Sequence, residues 1–184
     1  MILLSQINRT RAIVGTAFFL ALVLFLARAR ATPINGELKL LSSDISERDF
    51  FGISSIIDGD IAIIGAEGAG RLSFQSGTPG AAYLFDVRTG EQIRKLYAPR
   101  EVGSGGNFGH DVDMDGGRAI ISALDGNVYI FDVDPSSDTF GDELVQINAS
   151  DATYFHRFGW SAAISGDVAI VGAPRKDLNN SSRS

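Results

Sequence analysis

Three aspartates at alternate positions are the strongest candidates for chemistry in this sequence. Asp111, Asp113 and Asp115 form the string DVDMDG, which matches the opening of a calcium-binding loop whose oxygen ligands converge on one cation. Two observations disfavour calcium. Ala119 and Ser122 stand where a closing acidic ligand is expected, and alternate side chains of an extended strand spread along one face. We therefore assign no metal site and keep calcium as a minor alternative.

The two histidines and the single tryptophan form no recognisable catalytic group. His110 and His156 each lie near a Phe-Gly pair, but neither belongs to a histidine pair at metal-ligand spacing or to a triad. We predict that both are polar residues at blade edges or in loops. Trp160 directly follows a Phe-Gly pair, and we interpret it as a packing or edge residue. The sequence thus gives no catalytic and no cofactor-binding residue.

Most of these residues belong to a sixteen-residue segment, the FG phrase, that occurs three times without a gap. Its copies are residues 51–66 (FGISSIIDGDIAIIGA), 108–123 (FGHDVDMDGGRAIISA) and 158–173 (FGWSAAISGDVAIVGA). All three share Phe-Gly at positions one and two, glycine at nine, Ala-Ile at twelve and thirteen, and alanine at sixteen. Such repetition indicates a repeat architecture.

Each FG phrase predicts a β-hairpin with a buried second arm. Its turn falls at Asp58-Gly59 and the equivalent positions, because glycine adopts positive φ without steric cost. The apolar runs that follow are too short for helices and predict strands buried on both faces. These runs are residues 61–64, 119–121 and 168–171.

Two more strands complete each unit. The third strands share Tyr-x-Phe-Asp and the fourth strands alternate apolar and polar residues. The third strands are residues 82–86 and 127–132, and the fourth are 38–40, 92–96 and 144–147. We expect Asp86 and Asp132, which end the third strands, to accept hydrogen bonds from turn amides. Four short strands in about fifty residues are typical of a propeller blade, so we predict an all-β partial β-propeller of four-stranded antiparallel blades, two complete and a third begun.

The amino-terminal segment is of a different kind. Residues 1–31 contain a basic start, an apolar run at 12–27 and small residues around Ala29 and Ala31, a pattern typical of a secretory signal peptide cut after one of these alanines. An uncleaved anchor is the alternative, although a helix of sixteen residues spans only about 24 Å of the roughly 30 Å apolar core of a bilayer. Both interpretations place the remaining chain outside the cytoplasm, secreted or at the cell surface.

The remaining chain divides into repeats and a tail. We expect propeller repeats over residues 32–174, with units at about 38–93, 94–145 and 146–174, and a disordered polar tail at 175–184. Removing the four arginines of the leader from the chain's net charge of −6 leaves −10, which disfavours nucleic-acid binding. The absence of cysteine excludes disulfides and thiol catalysis.

The Phe158-Gly159 pair and the Gly172-Ala173-Pro174 triplet together resemble the FG-GAP repeat of integrin α-subunit propellers and of many bacterial secreted and surface proteins. The first unit departs from that pattern with Glu67 in place of proline, and the second with Ser122-Ala123-Leu124. The resemblance covers nearly all of the repeat region. It implies a propeller blade and, by analogy, an adhesion or binding surface, without identifying a ligand.

The function predicted on these grounds is a non-catalytic binding or adhesion module that contacts protein or polysaccharide through blade loops such as 68–80. One alternative is a quinoprotein-like enzyme, because residues 80–86 with 89–91 resemble that blade repeat, although Ile93 and Arg94 replace its usual tryptophan. Another is a truncated fragment without independent function. An open blade stack exposes apolar end faces, so self-association to complete the propeller is also expected if the chain is half of an assembly.

Overall fold

The computed structural model describes residues 2–5, 37–70, 79–98, 106–148 and 157–175, which form twelve β-strands and no helix. The strands are β1 Ile2–Ser5, β2 Glu37–Leu40, β3 Ser55–Asp58, β4 Ile61–Ala66, β5 Ala81–Asp86, β6 Gln92–Leu96, β7 Val112–Asp115, β8 Arg118–Ala123, β9 Asn127–Asp132, β10 Glu143–Asn148, β11 Ser161–Ser165 and β12 Val168–Gly172. Most of the expected signal peptide, nearly all of the tail and the centre of the 68–80 loop lie outside the described residues. None of the described residues forms a helix long and apolar enough to cross a membrane.

The strands form two four-stranded and two two-stranded antiparallel sheets. We call the sheet β3–β6 blade 1 and the sheet β7–β10 blade 2; in both, each strand pairs with the next one along the chain. Strands β11 and β12 form a half-blade, and β1 pairs with β2. The predicted fold class is confirmed: the chain is an all-β partial propeller with two complete blades and the start of a third.

Blades 1 and 2 are copies in register as well as in strand order. Ile61 lies opposite Asp86 in blade 1, and the equivalent Arg118 lies opposite Asp132 in blade 2. Both blades also shift register between their third and fourth strands. Sequence positions that match in the FG phrase therefore occupy matching places in space.

In blades 1 and 2, the phenylalanine of the FG phrase packs on the Tyr-x-Phe strand of its own blade. The ring of Phe51 meets Tyr83 and Phe85 edge to face, with centroids 5.5 and 6.1 Å apart. Phe108 meets Tyr129 in the same way at 5.6 Å. Such pairs contribute about 0.5–1.5 kcal/mol beyond the apolar area that they bury. This contact explains why the two motifs occur together in both complete blades.

The glycine of the FG pair is required where blade 2 meets blade 1. Gly109 has φ of 85°, and a Cβ atom added to it would lie 2.2 Å from the carbonyl oxygen of Ala81. Its N–H donates to the oxygen of Ser122 in the second strand of the same FG phrase. Only glycine combines this left-handed conformation with so close an approach of two backbones.

Neighbouring blades bury each other's apolar side chains. Ile63 of blade 1 is fully buried in a core shared with Ile121 of blade 2, and Ile120 of blade 2 is fully buried in a core shared with Ile164 of the half-blade. Burial of one such side chain contributes about 1.5–3 kcal/mol. The core therefore lies between blades as well as within them.

The third apolar run departs from the sequence prediction. Residues 168–171 form a strand as expected, but they are not buried on both faces: Val168 is 65% exposed and Ile170 is 69% exposed. The physical reason is that no blade follows the half-blade among the described residues. The expectation of full burial was wrong for this copy alone.

Candidate functional site

The Phe-Gly turns place one side chain from each repeat at the same end of the blade stack. Asn107 and Arg157, which precede the second and third Phe-Gly pairs, have φ of 52° and 54°. This left-handed residue reverses the chain, and the N–H of Trp160 then donates to the carbonyl oxygen of Arg157 at 3.1 Å. Position three of the FG phrase is thereby held at the rim, opposite the Asp-Gly turns.

Five side chains from three repeats meet at this end, and we call them the rim cluster: Glu67, Asn107, His110, Arg157 and Trp160. Nδ1 of His110 lies 2.6 Å from a carboxylate oxygen of Glu67, and the amide nitrogen of Asn107 lies 3.5 Å from the same oxygen. The His110 and Glu67 side chains are each 14% exposed. The pair thus joins blade 1 to blade 2 in a largely buried setting.

Trp160 extends the rim cluster to the half-blade. Its ring lies 4.9 Å from the ring of His110, centroid to centroid, at an interplanar angle of 49°. The guanidinium of Arg157 stacks on it at 4.5 Å, within the range of a cation–π contact. Trp160 is 40% exposed. A partly exposed aromatic ring therefore contacts an imidazole and a guanidinium, and the imidazole in turn contacts the carboxylate of Glu67.

The loop at 68–80 starts and ends next to the rim cluster. Glu67 directly precedes it, and the N–H of Gly68 donates to the oxygen of Asp49 at 3.0 Å. At its other end, Gly80 donates to the oxygen of Ala69 and forms a bridge with Phe108 of the next FG phrase. Residues 71–78 lie outside the described part of the chain.

The acidic string lies along β7 and contacts the next repeat. The carboxylates of Asp111 and Asp113 accept the backbone N–H groups of Ala162 and Ile164, each at 2.8 Å. The carboxylate of Asp115 accepts the N–H of Gly166 at 2.6 Å. Alternate side chains of one strand therefore satisfy alternate edge amides of the strand beside it. We call this set of hydrogen bonds the seam.

An equivalent set of hydrogen bonds, a second seam, joins blade 1 to blade 2. The hydroxyl oxygen of Ser54 accepts the N–H of Val112 at 3.2 Å, and the carboxylate of Asp58 accepts the N–H of Gly116 at 3.2 Å. In both seams position four of one FG phrase accepts from position five of the next, and position eight accepts from position nine. The Ser54 hydroxyl also donates to Asp111 at 2.8 Å, which links the two seams.

These hydrogen bonds give the acidic string a structural role that does not involve calcium. Each of the three carboxylates binds a different amide along the strand, so their oxygens spread rather than converge. Among the described residues, no group of three or more His, Cys, Asp or Glu side chains is placed to hold a metal ion. In Asp113 the oxygen Oδ2 already accepts the N–H of Ile164.

A second polar cluster connects blade 1 to the segment before it. Nζ of Lys95 lies 2.5 Å from a carboxylate oxygen of Asp44 and 4.9 Å from the ring centroid of the buried Tyr83, whose hydroxyl donates to Asp44 at 3.1 Å. The hydrogen bond from Lys95, followed by one from Ser42, lowers the pKa of Asp44. Burial opposes the charge on Lys95, but its hydrogen bonds to Asp44 and Tyr83 outweigh that effect and raise the pKa of Lys95.

The expected role of the strand-ending aspartates is confirmed. Asp86 accepts the backbone N–H groups of Arg88 and Thr89 at 2.8 and 3.2 Å, and the side chain of Arg88 lowers its pKa. Burial tends to raise the pKa of Asp132, but hydrogen bonds from Ser137 and Thr139 outweigh it, so that the pKa is lowered. Both carboxylates hold their turns in place.

The sequence located part of the rim cluster and missed the rest. His110 and Trp160 lie at the blade edge, as predicted, whereas His156 lies outside the described residues. The sequence pattern marks Glu67 only as a departure from proline, and it does not single out Asn107 or Arg157. Their common place directly before a Phe-Gly pair was the available signal. That their side chains meet depends on how far each blade is turned from its neighbour, which the sequence does not state.

Comparison with known proteins identifies one family. The chain matches the FG-GAP repeat family at residues 35–85 and 141–184, together more than half of its length. Among solved structures, the computationally designed Ika4 protein is 17% identical with a TM-score of 0.49, over 73% of this chain and 66% of that one. The computationally designed Ika8 protein is 16% identical with a TM-score of 0.45, over 67% and 30%. The chain thus spans less than two thirds of either design. No curated protein matches.

Proposed function

Because the chain belongs to the FG-GAP repeat family, we propose that it is a non-catalytic binding module that contacts a polysaccharide or protein through the rim cluster and the adjoining 68–80 loop. FG-GAP repeats form propeller-like modules that are generally not enzymes. Binding residues on such scaffolds concentrate on loops held by rigid strands. The rim cluster and its loop have this arrangement.

The convergence of three repeats on Trp160 is the observation that supports this proposal. Its ring is 40% exposed and contacts Arg157 and His110, and Glu67 contacts His110, so that hydrogen-bond donors and an acceptor lie close to the ring. Recognition sites commonly combine an aromatic surface with a few convergent polar groups. The contacts already present between these side chains reduce the ordering cost of binding.

A neutral polysaccharide fits this surface better than a polyanion. The net charge of the chain is −6, and Glu67 places a carboxylate at the rim, so an anionic polymer would be repelled. Sugar rings offer a flat apolar face for Trp160 and hydroxyl groups for Glu67 and Asn107. A protein ligand is the second class, since Trp and Arg dominate protein hot spots.

We also propose that the module acts outside the cytoplasm, secreted or at the cell surface. FG-GAP repeats typically occur in extracellular or surface proteins. The basic and apolar leader at 1–31 supports export, with cleavage after Ala29 or Ala31. Amino-terminal sequencing of the exported protein would test this: a start at Met1 would contradict cleavage.

The binding proposal is tested by calorimetric titration with soluble neutral oligosaccharides, namely cellohexaose, xylohexaose and mannohexaose. We expect at least one to bind wild-type protein and Trp160→Ala to weaken that binding tenfold or more. Leu144→Ala removes an exposed apolar side chain of β10 and serves as the control, with unchanged affinity expected. If none of the three binds, the polysaccharide proposal is wrong and the protein class remains.

A further inference from the structure

A pocket of about 190 Å³ lies between blade 1 and blade 2, beside the Asp-Gly turns of both. These turns are at the side of the blades opposite the rim cluster, so the pocket takes no part in the binding surface proposed above. An apolar cavity of similar size accepts a benzene-sized molecule. The pocket can therefore hold one small organic group.

The floor of this pocket is apolar. Met114 is 7% exposed and Val133 is 1% exposed, and both belong to the core that blades 1 and 2 share. Ile61 of blade 1 is partly buried against the same core. Pockets lined in this way bind the apolar part of a ligand and leave its orientation to a few polar groups.

The polar groups of the pocket are two exposed carboxylates, one from each blade. Oδ2 of Asp58 accepts the N–H of Gly116 at 3.2 Å, and Oδ1 of Asp134 accepts the N–H and the hydroxyl of Ser136 at 2.8 and 2.7 Å. The second oxygen of each carboxylate accepts no hydrogen bond from a described residue, and neither forms an ion pair with a described lysine or arginine. Each carboxylate thus keeps one oxygen for a ligand.

The next boundary between repeats shows how the chain itself uses the equivalent positions. Position eleven of the FG phrase is Ile61 in blade 1 but Arg118 in blade 2, and position ten of the following phrase is Gly117 in the first case and Asp167 in the second. Nη1 of Arg118 lies 3.0 Å from a carboxylate oxygen of Asp167, so a guanidinium connects blade 2 to the half-blade. Between blades 1 and 2 neither charged side chain is present at these positions.

Gly117 admits Asp134 to the pocket. Gly117 has φ of 79°, and a Cβ atom added to it would lie 3.0 Å from the Cβ of Asp134. The other two FG phrases have aspartate at this position, as Asp60 and Asp167. The change to glycine therefore lets the carboxylate of Asp134 lie against the turn, where a longer side chain would exclude it.

We propose that this pocket binds a small aliphatic cation, an alkylguanidinium or alkylammonium group. Its apolar stem packs on Met114 and Val133, and its charged end binds Asp58 and Asp134. Charge-assisted hydrogen bonds are about twice as strong as neutral ones, and the net charge of −6 favours a cation over an anion. The Arg118 contact at the next boundary is the chain's own example of a guanidinium between repeats.

The methyl group of Met114 reports on the pocket directly. The chain contains only two methionines, Met1 and Met114, so carbon-13 labelling of the methionine methyl groups gives at most two NMR signals, and Met114→Leu identifies the one from the pocket. We expect N-butylguanidinium to move this signal saturably, with a Kd of about 1 mM or tighter. The neutral isostere N-butylurea should bind at least about tenfold more weakly, because it forms no charge-assisted hydrogen bond.

Three variants separate the site from a general effect of charge. Asp134→Asn keeps an oxygen for Ser136 and should weaken the binding of butylguanidinium about tenfold. Glu47→Gln removes the same charge from an exposed residue before the first FG phrase and should leave the binding unchanged. Ile61→Arg places an arginine at position eleven, as in blade 2, and should abolish binding because its own guanidinium would occupy the pocket.

A second probe identifies the source of the cation. Tighter binding of Nα-acetylargininamide than of butylguanidinium would assign the group to an arginine side chain, and weaker binding would assign it to a free small molecule. A Met114 signal that does not move with butylguanidinium, equal binding of butylurea, or equal affinities of Asp134→Asn and Glu47→Gln would each overturn the proposal.

Discussion

The carboxylate of Asp113 accepts the backbone N–H of Ile164 at 2.8 Å, across the boundary between two repeats. The inner strand of a blade has an edge of amides that its own sheet does not use, and a buried amide without a partner is costly. Aspartates at alternate positions on the preceding strand satisfy these amides. The string DVDMDG thus acts as a connector between blades.

Replacing this connector should destabilise the contact between blade 2 and the half-blade. Asp113→Ala leaves the N–H of Ile164 without its acceptor, and we expect a loss of about 1–3 kcal/mol in the free energy of unfolding. Asp113→Asn retains a side-chain oxygen and should lose less. Urea unfolding followed by circular dichroism measures both. Equal losses would show that the charge rather than the acceptor matters.

Calcium should not stabilise the protein appreciably. Because Asp111, Asp113 and Asp115 accept separate amides along the strand, their carboxylates are not arranged to converge on one cation. We expect the melting temperature in 1 mM calcium to match that in chelator. A rise of several degrees that is lost in Asp113→Asn would instead support a calcium site.

Loss of the FG phenylalanine in blade 2 should be severe. Phe108 is fully buried and contacts both Tyr129 and Phe131, so Phe108→Ala should cost about 3–5 kcal/mol. The equivalent Phe51 is only half-buried, and Phe51→Ala should cost less. Thermal melts of the two variants in parallel provide the comparison. A larger loss for Phe51→Ala would contradict the burial order.

The aspartates with lowered pKa values make stability depend on pH. Asp44, Asp86 and Asp132 each have a pKa below the usual value when folded, so their stabilisation is present above about pH 4 and is lost as the pH falls through the folded pKa. We expect the melting temperature to be level from pH 7 to 5 and to fall below pH 4. Asp132→Asn should be less stable at pH 7 and show a smaller fall.

The pair of Glu67 and His110 should control the surroundings of the single tryptophan. Glu67→Pro, which introduces the proline of the FG-GAP pattern, removes the 2.6 Å contact that holds the His110 ring beside Trp160. We expect a change in the intensity of Trp160 emission, while Asp60→Asn, at the opposite Asp-Gly turn, should leave the emission unchanged. An unaltered spectrum in Glu67→Pro would show that Trp160 is positioned without this pair.

By itself, the sequence determined the class of fold and the content of a blade. The FG phrase, its Asp-Gly turn and the Tyr-x-Phe strand are local patterns, and each pairs with the next segment along the chain, so spacing alone predicted the four antiparallel strands. The prediction that Asp86 and Asp132 are turn acceptors was confirmed for the same reason, because each accepts an amide only two residues further along the chain.

Only the tertiary structure decided what lies between blades. The seam joins Asp113 to Ile164 and the rim cluster joins Glu67 to Trp160 through His110, over distances along the chain of about fifty residues or more. Such contacts depend on how one sheet is turned against the next, and that turn arises from the packing of whole faces. The exposure of Ile170 has the same origin, because a residue that is apolar in every repeat becomes buried only where another blade covers it.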